Sequence, residues 1–208
     1  MIKQQLRTAE ILDPKVLDLY FSIDRAHFVP KDYADFAYCD KQIPLLHEQR
    51  MLTPTEEGKI LQNLNLSGHE TVLEIGTGSG FLTAMLAKLA KKVISIDYFS
   101  DLTKLAESNL ALLALDNVEL ITGDAAKGWL EGAPYDVVIM TAAIERIEES
   151  HRLQVLPGGK LFAIVGRDPI MSGQLHHYSH EQTWTSEELF ETNIPMMIDK
   201  SKPKEFVF

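Results

Sequence analysis

Between residues 71 and 165 short apolar runs alternate with longer stretches of mixed character. Residues 72–75, 93–96, 118–121, 137–140 and 160–165 are brief and rich in Val and Ile, as strands buried on both faces are. Between them, residues 81–89 and 102–113 carry apolar positions at helical spacing. Residues 147–156 read as a further helix, ended by Pro157-Gly158-Gly159. Strands that alternate with helices predict an α/β fold with a doubly wound, mostly parallel sheet. Residues 174–179 and 183–192 instead predict a C-terminal antiparallel strand extension.

The first 56 residues follow a different pattern. Ile2, Leu6 and Ile11 predict a first helix. Asp13-Pro14 places an N-cap before a first-turn proline and opens a second, through Val16, Leu17 and Leu19. Phe28-Val29-Pro30 ends it. These N-terminal helices are expected to form a lid or flank rather than part of the core sheet. Residues 31–56 read as irregular, and long loops in compact domains are usually functional. A third helix is expected to start near Pro54 or Thr55, with Ile60, Leu61 and Leu64 on one side, and to stop at Leu66-Ser67-Gly68. The expected organisation is one domain over 1–208: helices and an acceptor loop to 56, a core over 57–166, and strands over 167–208.

Composition narrows the partners. The 208 residues hold 20 Lys and Arg against 30 Asp and Glu, a net charge of −10. That balance argues against nucleic acid and against an anionic membrane surface, both of which need clustered cations. No apolar run reaches the ~18 residues that span a bilayer. The N-terminal residues lack the apolar core of a secretory leader. Cys39 is the single cysteine, so no disulfide forms within the chain, and a buried or half-buried thiol is expected. Together these predict a soluble, cytoplasmic protein.

The chemistry concentrates after the first core strand. Gly76, Gly78 and Gly80 alternate where the strand meets a helix. Glycines there admit a ligand close to the backbone, and a helix N-terminus offers free N–H donors. A dinucleotide fingerprint needs G-x-G-x-x-G, but its third glycine would fall on Phe81. With Glu74 two places ahead, the stretch resembles the S-adenosylmethionine (SAM) loop of Rossmann-like methyltransferases. Asp97 ends the second strand about twenty residues after the loop, where an acid hydrogen-bonds ribose hydroxyls; the plainer alternative is a cap or turn acid. Asp124 ends the third strand, placed to accept from an adenine amine or to make a turn. Glu74, Gly76 and Gly78 fall where the cofactor's amino-acid portion would lie. Methyl transfer from a sulfonium is an in-line displacement; a carboxylate acceptor needs no base, so the protein positions and dehydrates the partners.

Motifs along nearly the whole chain then resemble one family. Gln5-Leu6-Arg7 with Ile11-x-Asp13-x-x-Val16-Leu17, Phe28-Val29-Pro30, Ala37-Tyr38-x-Asp40 and Ile43-Pro44 come first. Val72-Leu73-Glu74-Ile75-Gly76-Thr77-Gly78-Ser79-Gly80, Gly123-Asp124, Gly128-Trp129, Ala133-Pro134-Tyr135-Asp136, Thr141-Ala142-Ala143, Gly158-Gly159 and Val165-Gly166 follow in order. The ordered set is similar to the protein-L-isoaspartate (D-aspartate) O-methyltransferase family. The resemblance implies SAM as cofactor, S-adenosyl-L-homocysteine as product, and an isoaspartyl carboxylate in a protein or peptide as acceptor, methylated as the first step of repair. It adds Thr77, Ser79, Ala125 and Thr141 to the expected cofactor contacts.

One segment departs. The family's loop reads Pro-x-Gly-x-Gly-Gln-x-Ile-Ser-x-Pro, and residues 44–54 read Pro-Leu-Leu-His-Glu-Gln-Arg-Met-Leu-Thr-Pro. Gln49 and Pro54 keep register, Leu46 and Glu48 replace glycines, and Leu52 replaces the serine. Gln49, Arg50 and Thr53 become the expected catalytic residues. A different small-molecule acceptor, or a non-catalytic SAM-binding module, stands as the alternative. His47 is a base for a non-carboxylate acceptor or a solvated loop residue. His176, His177 and His180 lie on a predicted strand, where neighbours face opposite ways, so no metal site is expected. The fourth strand leads into Met140-Thr141-Ala142-Ala143, unlike the Pro-Pro-aromatic sequence of nucleic-acid N-methyltransferases.

Overall fold

The computed structural model describes residues 1–199. The expected C-terminal unit extends to 208, and its last nine positions lie outside the described residues.

Helix α1 spans Pro14–Ser22. The strand pair β1 (Ile43–Pro44) and β2 (Arg50–Met51) forms a small antiparallel hairpin. Helix α2 spans Pro54–Leu64. The core follows as β3 (Thr71–Ile75), α3 (Phe81–Leu89), β4 (Lys92–Asp97), α4 (Ser100–Leu110), β5 (Val118–Thr122), β6 (Tyr135–Ile144), α5 (Glu149–Arg152), β7 (Val155–Arg167), β8 (Ile170–Tyr178) and β9 (Trp184–Thr192). One seven-stranded sheet runs β5-β4-β3-β6-β7-β8-β9. Its first five strands pair in parallel, and β8 and β9 are added antiparallel. This is the expected α/β sheet with its antiparallel extension. Among the described residues, no helix is long and apolar enough to cross a membrane.

Residue alternation divides the core. Val72, Val93, Val137 and Phe162 point to one face, packed under α1, α2, α3 and α4 through Val16, Leu61, Met85 and Ala106. Leu73, Ile75, Ile94, Ile96, Val138 and Leu161 point to the other. Connecting segments rather than long helices cover that second face, with Trp129, Ile147 and Trp184 against it.

One expectation fails here for an identifiable reason. The helix over 147–156 shrinks to α5, four residues long. Tyr135 N–H donates to the Gln154 carbonyl at 2.7 Å and Val155 pairs with Tyr135, so the sheet captures this backbone early. Pro157-Gly158-Gly159 then forms a bulge in β7, and a Cβ at Gly159 would lie 2.5 Å from the Asp136 carbonyl oxygen. The N-terminal segment gives no strand to the seven-stranded sheet, yet its apolar side chains pack into the core. Leu6, Ile11, Leu17, Ile23 and Phe28 are buried in the same core as Ile60, Phe81 and Val137. Their helical content is broken into a short turn, α1 and two 3₁₀ turns at Arg25–Phe28 and Lys31–Phe36.

Arg25 locks this layer together. It is 1% exposed, pairs with the buried Glu57 of α2, and donates to the Leu52 carbonyl at 2.7 Å. Its guanidinium lies 4.7 Å from the centre of the Phe81 ring, at the start of α3. Removing one partner of a buried pair strands the other, at about 3–5 kcal/mol, whereas an apolar replacement of both is often neutral. Arg25→Ala is therefore expected to lower the urea unfolding free energy by about that amount, with Arg25→Met/Glu57→Leu recovering most of it. A double variant no better than Arg25→Ala would contradict this reading.

Candidate active site

The glycine turn after β3 is held by contact with the end of β6. Gly76 has φ +104°, and a Cβ there would lie 2.2 Å from Thr141 Oγ1. The same hydroxyl donates to the Gly76 carbonyl at 2.8 Å. Gly78 (φ +56°) presents its N–H to Asp97 Oδ2 at 2.9 Å, tying the turn to the end of β4. Gly80 N–H then donates to the Thr77 carbonyl at 2.9 Å, and α3 begins at Phe81.

Glu74 lies beneath this turn and lines neither cavity beside it. Alternation puts it on the α3 face with Val72, and register puts it next to Ser95. It is fully buried and accepts from Thr83 Oγ1 at 2.5 Å and Ser95 Oγ at 2.6 Å. Thr77 Oγ1 joins Ser95 Oγ at 2.7 Å, so the threonine hydroxyl also points into this network. Burial pushes the Glu74 carboxyl up to about 7, against the lowering effect of the Ser95 and Thr83 bonds. The expectation that Glu74 contacts a ligand is corrected accordingly: its side chain supports the loop from below.

Two cavities meet at Gly76. The first is lined by Gln49, Asp97, Phe99, Asp124, Ala125 and Met197, among others. Asp97 is 5% exposed and its second oxygen accepts from Phe99 N–H at 2.9 Å. Burial raises its pKa, while the Gly78 and Phe99 N–H groups oppose the rise. Asp124 is exposed and makes a turn bond to Ala126 N–H at 3.1 Å. His47 stacks on Phe99, centroids 3.9 Å apart and planes 7° from parallel. The segment after β9 closes the other side, since Met197 N–H donates to the Ala143 carbonyl at 2.7 Å.

The second cavity contains Arg50, Leu52, Glu57, Gly78, Ser79 and Thr141. Arg50 also faces a broad groove bordered by Lys41, Glu48, Asp168 and Asn193. The structure thus brings together Gln49, Gly76, Asp97, Asp124 and Ala125 in one cavity, and Arg50, Gly76, Thr77, Gly78, Ser79 and Thr141 in the other.

Thr53 lines neither. It is the N-cap of α2, and its hydroxyl accepts from Glu56 N–H at 3.2 Å while Glu56 returns a bond to the Thr53 N–H. Its expected catalytic role is replaced by a structural one. Glu48 has φ +59°, which explains why a glycine suits that position of the loop. Cys39 is exposed rather than buried. His176 is buried and His177 binds Glu187 at the surface, on opposite faces of β8. Glu57 is the residue that motif reading missed. Its signal is present in the sequence: an acid three, four and seven places before Ile60, Leu61 and Leu64, on the apolar stripe of α2.

The Glu74 environment has a measurable signature. An acid whose folded pKa stands near 7, above its unfolded value, loses stabilisation as pH rises between the two. Neutral Glu74→Gln is expected to be more stable than the parent at pH 8 by about 1–3 kcal/mol, with the advantage gone by about pH 5. Urea titrations at the two pH values check it; an advantage independent of pH would contradict the assignment.

Comparison with known proteins gives a family. The model of the protein-L-isoaspartate (D-aspartate) O-methyltransferase family matches residues 1–192. A relative from Synechococcus sp. described as a protein-L-isoaspartate O-methyltransferase is 39% identical over 173 residues, 83% of this chain and 71% of its own. One of the same description from Dictyoglomus turgidum is 40% identical over 164 residues, 78% of this chain and 74% of its own. In fold the chain is similar to a solved Plasmodium falciparum structure of that description in complex with S-adenosyl-L-homocysteine. That similarity has a TM-score of 0.78 at 18% identity, covering 94% of this chain and 95% of the other. This chain belongs to the protein-L-isoaspartate (D-aspartate) O-methyltransferase family.

Proposed function

We propose that this protein transfers the methyl group of SAM to the free carboxylate of isoaspartyl residues in proteins or peptides, forming a methyl ester. The observation that carries this reading is the pair of cavities meeting at Gly76, with the 43–51 hairpin opening onto them. The residues fit the cofactor. A Cβ at Gly76 would fill the space against Thr141, and one cavity is lined by Asp97 and Asp124 while the other combines loop residues and apolar side chains with Arg50 and Glu57. Asp97 is assigned to the ribose hydroxyls and Asp124 to the adenine amine, with Phe99, Ala125 and Met197 around the base. Gly76, Gly78, Ser79 and Thr141 form the methionyl end.

When bound, SAM supplies a methyl group on a positively charged sulfur. The chain's own residues prepare its acceptor. Arg50, shared by the second cavity and the groove, draws the acceptor carboxylate inward. Gln49 sits at the hairpin's edge with Nε2 donating to the His47 carbonyl at 3.1 Å, fixing the loop beside the first cavity. Leu45, Met51 and Leu52 exclude water from the reacting atoms. The acceptor is already ionised at neutral pH, so no base is required. The groove along Lys41, Asp168 and Asn193 is assigned to the flanking peptide.

The chain is read as one domain serving this site: 1–56 as the acceptor wall, 57–166 as the cofactor core, and the described residues from 167 as strands and a following segment that close it. A reducing cytoplasm suits the single exposed thiol, Cys39. The relatives' shared description favours the isoaspartyl acceptor over a small-molecule acceptor or a non-catalytic module.

Methyl incorporation into an isoaspartyl peptide and its normal aspartyl twin tests the proposal. Transfer to the first alone is expected. SAM binding without transfer would exclude isoaspartyl methylation. Leu52→Ser introduces a donor for the acceptor carboxylate and is expected to raise kcat/KM about tenfold. The same change is expected to cost about 2–5 kcal/mol of stability for the lost buried side chain.

A further inference from the structure

We propose that Glu57 binds the α-ammonium group of the cofactor's methionyl portion, and that Arg25 is the positioning residue that orients its carboxylate. The inference rests on the assignment of the cleft to SAM.

The second cavity has an apolar lining for the most part: Leu45, Met51, Leu52, Phe81 and Leu82. An ammonium group entering such a place needs a counter-charge, because burying it alone is costly. Glu57 is the one carboxylate among the described residues that line this cavity. Its side chain is 3% exposed, and Oε2 is taken by Arg25. Oε1 has no hydrogen-bond partner among the described residues, so the carboxylate keeps a free acceptor beside Gly76 and Gly78. The other acids near the loop do not line this cavity, although Glu74 Oε1 is buried without a partner. Glu74 lies below the turn with Thr83 and Ser95, and Asp97 lines the first cavity, its two oxygens bound to the Gly78 and Phe99 N–H groups.

The pair also matches the charge order of an amino acid. The Arg25–Glu57 pair places a negative oxygen toward the cavity and a cation behind it, while Arg50 approaches from the hairpin. A methionyl zwitterion then meets Glu57 with its ammonium. Leu52 belongs to the same arrangement, since its carbonyl accepts the second Arg25 bond.

Calorimetric titration of the full-length protein tests this with S-adenosyl-L-homocysteine and its deaminated analogue, which differ only at the ammonium group. The parent is expected to bind the deaminated form at least about tenfold more weakly. Glu57→Gln keeps an oxygen for Arg25 but loses the charge. It is expected to bind S-adenosyl-L-homocysteine about tenfold more weakly than the parent, and the deaminated form about equally well. Glu57→Asp retains the charge on a shorter arm and is expected to keep part of the discrimination. Equal affinity of the parent for both ligands would overturn the inference. So would a Glu57→Gln variant weakened by the same factor for both. Failure of the parent to bind S-adenosyl-L-homocysteine would instead overturn the cofactor assignment beneath it.

Discussion

How closely the backbone after β3 passes the end of β6 sets the shape of everything above it. Thr141 Oγ1 donates to both the Ile75 and Gly76 carbonyls, at 3.2 and 2.8 Å. That proximity leaves no room for a side chain at Gly76. The chain must turn away with a positive φ, which glycine alone adopts freely. Gly78 then reaches Asp97, and α3 starts at Phe81, which lines the second cavity. The two cavities are the two sides of this one turn.

The layer packed over that turn carries a second constraint of a different kind. Arg25, Glu57 and Phe81 come from three segments and meet in the interior. A buried ion pair is poor evidence for stability by itself, since its desolvation offsets much of its attraction. Its value here is geometric. It fixes the first turn of α2 against the first residue of α3, and so holds the hairpin beside the glycine turn. The N-terminal fifty residues are therefore part of the core and part of the site at once.

Most of the sheet was legible in the sequence because buried parallel strands announce themselves as short Val- and Ile-rich runs. The glycine turn, Asp97 and Asp124 were legible because strand ends converge on one rim. What was missed depended on partners far along the chain. Nothing local distinguishes Pro157-Gly158-Gly159 as a bulge from the same residues as a helix stop; the pairing of Val155 with Tyr135 decides it. Thr53 offered a hydroxyl beside the loop, yet the Glu56 backbone claimed it. Glu74 looked like a ligand by position, and only its register beside Ser95 shows that it points the other way. Glu57 hid in a helix whose apolar stripe was recognised while the acid at its head was not.

The cleft is also assembled from both extremes of the described chain. Gln42 of the hairpin region donates to Thr192 at the end of β9 at 3.2 Å. Ala143, at the heart of the sheet, exchanges backbone bonds with Pro195 and Met197. Met197 in turn walls the cavity assigned to the base. A growing polypeptide that has finished its glycine turn thus possesses the recognition sequence but no enclosed site. The wall of that cavity is complete only when the segment after β9 lies against Ala143, far along the chain from the glycine turn.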